Sequence, residues 1–208
     1  MESINRVLTH GPDLIELRLD YIKDRVDLGA IRDATLLPLI ATNRSGDQGG
    51  KGNRSEAERL ETLMEACDVG FEYIDIETTT CDIDKVVSDA KGLGVGVIIS
   101  YHDFNGTPRR ENLQEIMRQE LRQGADICKI VGTSNSPRDC LTYLGFLAEN
   151  RGAKLVSFGM GGTGAMSRIY SPLFGGEFTY ASAGIGEESA PGQLTISDLR
   201  EVYRVLGV

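Results

Sequence analysis

Apolar residues in this 208-residue chain recur with two periods. Short segments in which they alternate with polar residues or run unbroken read as strands, and stretches spaced by three and four read as helices. In chain order the pattern predicts a helix end over residues 2–10, stopped by Gly11-Pro12, and then a strand from Leu14 to Asp20. A short helix from Arg25 to Ala34 leads to a second strand, Leu37 to Asn43, and a polar, glycine-rich loop, Arg44 to Gly50. Ser55 to Cys67 is helical, with Ser55 and Glu58 spaced as a capping box. Tyr73 to Glu77 is the third strand, Ile83 to Leu93 a helix, Val95 to Asp103 the fourth strand and Glu111 to Gln123 a helix. Asp126 to Val131 is the fifth strand, Pro137 to Asn150 a helix, Lys154 to Phe158 the sixth strand and Ala165 to Ser171 a short helix. Phe178 to Ala181 reads as a seventh strand, and Thr195 caps a last helix that runs to Leu206.

Strands alternating with helices at this spacing imply βα units and a parallel sheet. No linker, low-complexity segment or second domain interrupts them, so residues 1–208 are expected to form one (β/α) barrel domain. The opening helix has no strand before it. The expected architecture is therefore an α/β, (β/α)8 TIM barrel whose N-terminal first strand is missing from this chain. A doubly wound open sheet is the alternative, but no strand–turn–helix carries GxGxxG or a phosphate-binding loop.

Composition narrows the class. Forty per cent hydrophobic and 25% charged residues are ordinary for a globular protein, and a net charge of −9 argues against a broad nucleic-acid surface. It leaves room for a small basic pocket suited to an anionic metabolite. Cys67, Cys81, Cys128 and Cys140 form no CxxC pair and no metal-ligand spacing, which reads as reduced, mostly buried thiols. No signal peptide and no apolar run of membrane-spanning length is visible, so a soluble, cytoplasmic protein is expected.

Strands of a parallel sheet are covered on both faces, so charges within them stand out. In Ile15 to Asp20 the two-residue period puts Glu16, Arg18 and Asp20 on one face and the apolar residues on the other. A structural ion pair is the ordinary explanation for one such strand, but the pattern repeats. Thr42 and Arg44 share a parity, Asp75 and Glu77 point together, and Ser100 and His102 share a face near the C-terminal end of their strand. In a barrel, that end is where active sites sit. Lys129 lies mid-strand in Asp126 to Val131. Lysine is rarely buried, and burial favours the neutral amine that attacks carbonyls. Glycine-rich loops follow, Phe158 to Gly164 and Ser189 to Gln193, with Ser167-Arg168 between them. Lysine, histidine, arginines, a glutamate and a glutamine with no metal cluster or nucleotide motif suit imine formation with an anionic ketone. Histidine would move protons and arginine would hold a carboxylate bidentately. The residues alone imply a Schiff-base lyase or aldolase.

The series ELRLD (16–20), TNRSGDQGG (42–50), YIDIE (73–77), SYHDF (100–104), CKIVG (128–132), SR (167–168) and SAPGQ (189–193) resembles the type I 3-dehydroquinate dehydratases. It spans nearly the whole chain in the family's order. The resemblance implies a (β/α)8 barrel that removes water from 3-dehydroquinate in the shikimate pathway without metal or organic cofactor. It implies Lys129 as the imine-forming nucleophile and His102 as the general base and acid. It also implies Glu16, Arg18, Arg44, Arg168, Ser189 and Gln193 as substrate-binding residues, with Arg168 on the carboxylate. The loops after Arg44 and around Ser189 to Gln193 would be lids, and a homodimer is expected because family members are commonly dimeric.

Two departures accompany the resemblance. Gln48 stands where the family loop often carries a glutamate beside the histidine, which predicts an altered pH–rate profile with activity retained. The missing first strand leaves open whether the chain starts late or another segment closes the barrel. Two other functions fit less of the pattern: a class I aldolase barrel, which usually binds phosphorylated sugars, and a non-catalytic metabolite-binding barrel.

Overall fold

The computed structural model describes residues 2–208. Eight α-helices and six strands alternate along them: α1 (Glu2–Thr9), β1 (Ile15–Arg18), α2 (Leu28–Asp33), β2 (Leu39–Thr42), α3 (Glu56–Asp68), β3 (Tyr73–Glu77), α4 (Ile83–Gly92), β4 (Gly96–Asp103), α5 (Arg110–Arg122), β5 (Ile127–Thr133), α6 (Pro137–Glu149), β6 (Leu155–Met160), α7 (Ala165–Tyr170) and α8 (Ile196–Leu206). The α/β class expected from periodicity is the one observed. Helix starts follow local chemistry. Ser55 and Glu58 form the reciprocal capping box of α3, and Thr195 caps α8 by accepting the Asp198 N–H at 3.1 Å. Asp27 does the same for α2 through the Ala30 N–H at 2.9 Å.

The chain divides into two compact units, one of residues 1–5, 13–102 and 117–128, the other of residues 6–12, 103–116 and 129–208. In the first, β1 to β4 are sheet neighbours in chain order and pair in parallel. Their register places Arg18 beside Thr42, Thr42 beside Asp75, and Glu77 beside Ser100. Helices cover the apolar side, α3 packing on β2 and β3. Leu39, Ile40, Ala41, Ile74, Ile76, Val97, Ile98 and Ile99 are all essentially inaccessible. Each of the valine, leucine and isoleucine side chains among them contributes about 1.5–3 kcal/mol on burial.

In the second unit β5 neighbours β6, and Ser157 Oγ donates to the Ile130 carbonyl at 2.8 Å. Helix α6 packs on β6 and α7, burying Tyr143, Phe146 and Leu147 with Leu155 and Val156. Phe178 to Ala181, expected as a seventh strand, is not one. Its nearest ladder contacts are one bond at each end. Glu177 N–H reaches the Leu155 carbonyl at 2.7 Å, and Ser182 bridges to Thr195. Without a continuous partner, alternating side chains alone do not make a strand. Among the described residues, no helix is long and apolar enough to cross a membrane. All four cysteines are free, and all but Cys81 are buried.

Candidate active site

The first unit holds a buried network of charge. Arg44, two residues past β2, has Nη2 at 2.8 Å from Asp75 and Nη1 at 3.2 Å from Glu77 and 2.5 Å from Ser100 Oγ. Ser100 Oγ in turn donates to Asp75 at 2.7 Å. From α3, Arg59 Nη2 bonds the other oxygen of Glu77 at 2.6 Å, and its Nε donates to the Asn43 carbonyl at 2.7 Å. Burial opposes the Arg44 charge, but Asp75, Glu77 and Glu16 outweigh it and hold the guanidinium pKa well above its ordinary value. The network is satisfied internally, the condition under which buried ions are tolerated.

Two carboxylates also pin the glycine-rich loop. Asp20 accepts the Arg44 N–H at 3.3 Å and the Lys51 N–H at 3.1 Å, and Glu77 accepts the Ser45 N–H at 2.9 Å. Arg18 grips Asp20 with both arms, Nε at 2.8 Å and Nη2 at 2.7 Å. Burial would raise the Asp20 pKa, but the bond and charge of Arg18 pull it below the ordinary carboxylate range. Gly50 fits the loop because a side chain there would meet the Arg44 carbonyl at 1.9 Å. Held in this way, the loop sets Gln48 Oε1 at 3.0 Å from the backbone N–H of His102. Glu16 accepts from Thr42 Oγ1 at 2.8 Å on the neighbouring strand.

The second unit presents its cations differently. Lys129 on β5 is 5% exposed, and its Nζ lies 3.0 Å from the Tyr180 hydroxyl and 4.4 Å from the centre of the same ring. Arg168 on α7 is 2% exposed and stacks on Phe158, its Cζ 4.1 Å from the ring centre. Its Nε and Nη2 make no hydrogen bond among the described residues. Burial drives the Arg168 pKa down to about 10, with Tyr180 opposing. A buried guanidinium with open donors is an arrangement suited to a carboxylate, which would complete it bidentately.

The loop from Ser189 to Gln193 closes on itself. Gln193 Oε1 accepts the Ser189 N–H at 2.8 Å, and Nε2 donates to Ser189 Oγ at 3.1 Å. It is seated on the turn after β6 through Gly161 N–H to the Pro191 carbonyl, 3.0 Å. Gly192, at φ +81°, makes that approach possible, since a Cβ would lie 2.3 Å from the Gly161 carbonyl.

Of the residues expected from sequence, the first unit thus gathers Glu16, Arg18 and Arg44 on its charged strand face and His102 at the end of β4. The second gathers Lys129 and Arg168 along with the Ser189–Gln193 loop. Sequence reasoning missed Arg59, which holds Glu77, and the rings of Phe158 and Tyr180. A signal for Tyr180 existed: Phe178 and Tyr180 share a parity beside small residues, the pattern of two aromatics on one face. Among the described residues, no group of three or more His, Cys, Asp or Glu is placed to hold a metal.

Parallel strands with helical connections, a buried strand lysine and a buried arginine with open donors define an α/β protein equipped for an anionic carbonyl compound. The family model for type I 3-dehydroquinase matches residues 1–208, and the chain belongs to that family. Its members are 3-dehydroquinate dehydratases, hydro-lyases of the shikimate pathway. The 3-dehydroquinate dehydratase of Pyrococcus abyssi is 35% identical over 208 residues, covering 99% of this chain and 93% of that protein. That of Methanothrix thermoacetophila is 36% identical over 203 residues, covering 98% and 86%. The crystal structure of the Geobacillus kaustophilus 3-dehydroquinate dehydratase superposes with a TM-score of 0.92 at 33% identity, covering 99% of this chain and 85% of that one. A 3-hexulose-6-phosphate synthase, at 18% identity and a TM-score of 0.62, shares the fold alone. Family membership decides between the dehydratase and aldolase readings in favour of the dehydratase.

Proposed function

We propose that Lys129 and His102 carry out an imine-dependent dehydration of 3-dehydroquinate to 3-dehydroshikimate. Lys129 Nζ attacks the C3 ketone, the carbinolamine loses water, and the resulting iminium draws electrons from the C2–H bond. His102 takes the C2 proton and returns a proton to the departing C1 hydroxyl, which leaves as water. Hydrolysis of the imine releases product and restores the lysine, so the net change is loss of one water. The iminium is itself the electron sink, and the chemistry calls for no metal or organic cofactor.

Arg168 takes the substrate carboxylate, and Glu16, Arg18 and Arg44 serve the hydroxyl-bearing side, Arg44 with part of its bonding already directed to Asp75 and Glu77. Ser189 and Gln193 complete the binding set, and the loops carrying Gln48 and Gln193 act as lids that exclude water. The six observed strands are read as part of one (β/α)8 barrel domain, cytoplasmic and homodimeric, acting on a small molecule without nucleic acid or membrane. The observation that carries this reading is Lys129 itself, 5% exposed and bonded to the Tyr180 hydroxyl in a chain of this family. Sodium borohydride added with 3-dehydroquinate should leave one reduced adduct, mapped to Lys129 by mass spectrometry. No adduct from the folded protein would refute the imine.

A further inference from the structure

The two buried cations of the second unit share one aromatic support. Lys129 Nζ lies against Tyr180 and Arg168 against Phe158, and the two rings meet edge to face, centroids 6.2 Å apart at 68°. Phe178 braces Tyr180 from another side, at 5.5 Å and 70°. Between them, Thr179 Oγ1 donates to the Arg168 carbonyl at 2.8 Å. Segment 178–180 is therefore tied through Thr179 to the helix that carries Arg168, while its Tyr180 ring lies against Lys129.

A π face attracts a cation without carrying a formal charge. A carboxylate beside Arg168 would bind its guanidinium more strongly and repel an anionic substrate. It would also occupy guanidinium donors that Arg168 keeps open. The Tyr180 hydroxyl adds a directional element, fixing Nζ at the end of a side chain with four rotatable bonds.

We propose that Phe158 and Tyr180 are positioning residues with divided duties: Tyr180 orients the Lys129 amine for attack, and Phe158 holds the Arg168 guanidinium for the carboxylate. This rests on the reading of Lys129 as nucleophile and Arg168 as carboxylate site. Loss of the hydroxyl should slow the bond-forming step, and loss of the Phe158 ring should weaken binding.

The test compares Tyr180→Phe, Tyr180→Leu and Phe158→Leu with the parent protein, each checked for folding by circular dichroism. Steady-state kinetics and borohydride trapping under single-turnover conditions with 3-dehydroquinate supply the readouts. Tyr180→Phe should lower kcat and the trapping rate about fivefold with KM within a factor of two, as expected for one lost hydrogen bond. Tyr180→Leu should lower them further, by about another factor of five for the ring. Phe158→Leu should raise KM about tenfold and leave the trapping rate at saturating substrate unchanged. Folded variants that match the parent, or that change kcat and KM in parallel, would overturn the proposal. If the parent itself yields no adduct on Lys129, the reading of the nucleophile fails instead.

Discussion

In the first unit the buried arginines are bonded to carboxylates, Arg44 to Asp75 and Glu77 and Arg59 to Glu77. In the second, Arg168 lies on a phenyl ring with two guanidinium nitrogens unbonded among the described residues, and Lys129 lies on a phenol. Both solutions keep a cation inside a protein, but they leave different amounts of bonding capacity behind. Ion pairs spend it on the fold, and their removal leaves an opposite charge stranded. A phenyl face holds the Arg168 guanidinium and leaves its Nε and Nη2 for a ligand. The difference separates guanidinium groups whose bonds are largely taken up by the fold from one with bonding capacity left over, a distinction that residue type alone does not make.

Replacing one arginine from each class puts the contrast to its strongest test. Arg44→Met strands Asp75 and Glu77 in the interior and should cost about 3–5 kcal/mol, lowering the thermal midpoint on the order of 10 °C. Adding Asp75→Asn should recover part of that loss, because one stranded charge is removed. A thermal midpoint within a degree of the parent would show that the network does not hold the framework.

Arg168→Met should do the reverse. The Arg168 pKa is depressed from 12.5 to about 10, so at neutral pH its charge costs the folded state on the order of 3 kcal/mol, a cost that fades only as pH rises above about 10. The variant should melt at the same temperature or a few degrees higher, while KM for 3-dehydroquinate rises roughly a hundredfold. A clear drop in midpoint with KM unchanged would place Arg168 with the framework charges.

The smallest effect concerns Gln48, the neutral residue that the pinned loop brings to the His102 backbone. Gln48→Glu keeps the acceptor and adds a negative charge nearby, favouring the imidazolium. The His102 titration followed by NMR should move to higher pH, carrying the acid limb of the pH–rate profile with it and changing the optimal rate by only about twofold to threefold. An unchanged titration would show that this loop position does not act through charge.

Much of this was legible in the sequence, for reasons particular to each element. The Leu14–Asp20 and Tyr73–Glu77 segments announce strands because one face of each is apolar and buried against helices, and a two-residue period writes that burial directly into residue order. The same period places Glu16 and Arg18 on one face of their strand and Asp75 and Glu77 on one face of theirs. Ser55 and Glu58 announced their helix start because a capping box is local in the chain. The seventh strand was misread at Phe178 to Ala181 because alternation there serves ring packing, and a strand also needs a partner ladder that no local pattern encodes.

The sequence by itself determined the α/β class, the parity of the charged residues and the family. Each of these depends on neighbours in the chain or on residues read one position at a time. Only the tertiary structure decided which charge meets which: that Arg44 is bound to Asp75 and Glu77, that Arg18 holds Asp20, and that Tyr180 stands 3.0 Å from Lys129 across 51 positions of chain. Partners distant in sequence are brought together by packing of the whole. Whether a buried cation finds a carboxylate or a ring is set by distances of a few ångströms that periodicity does not record.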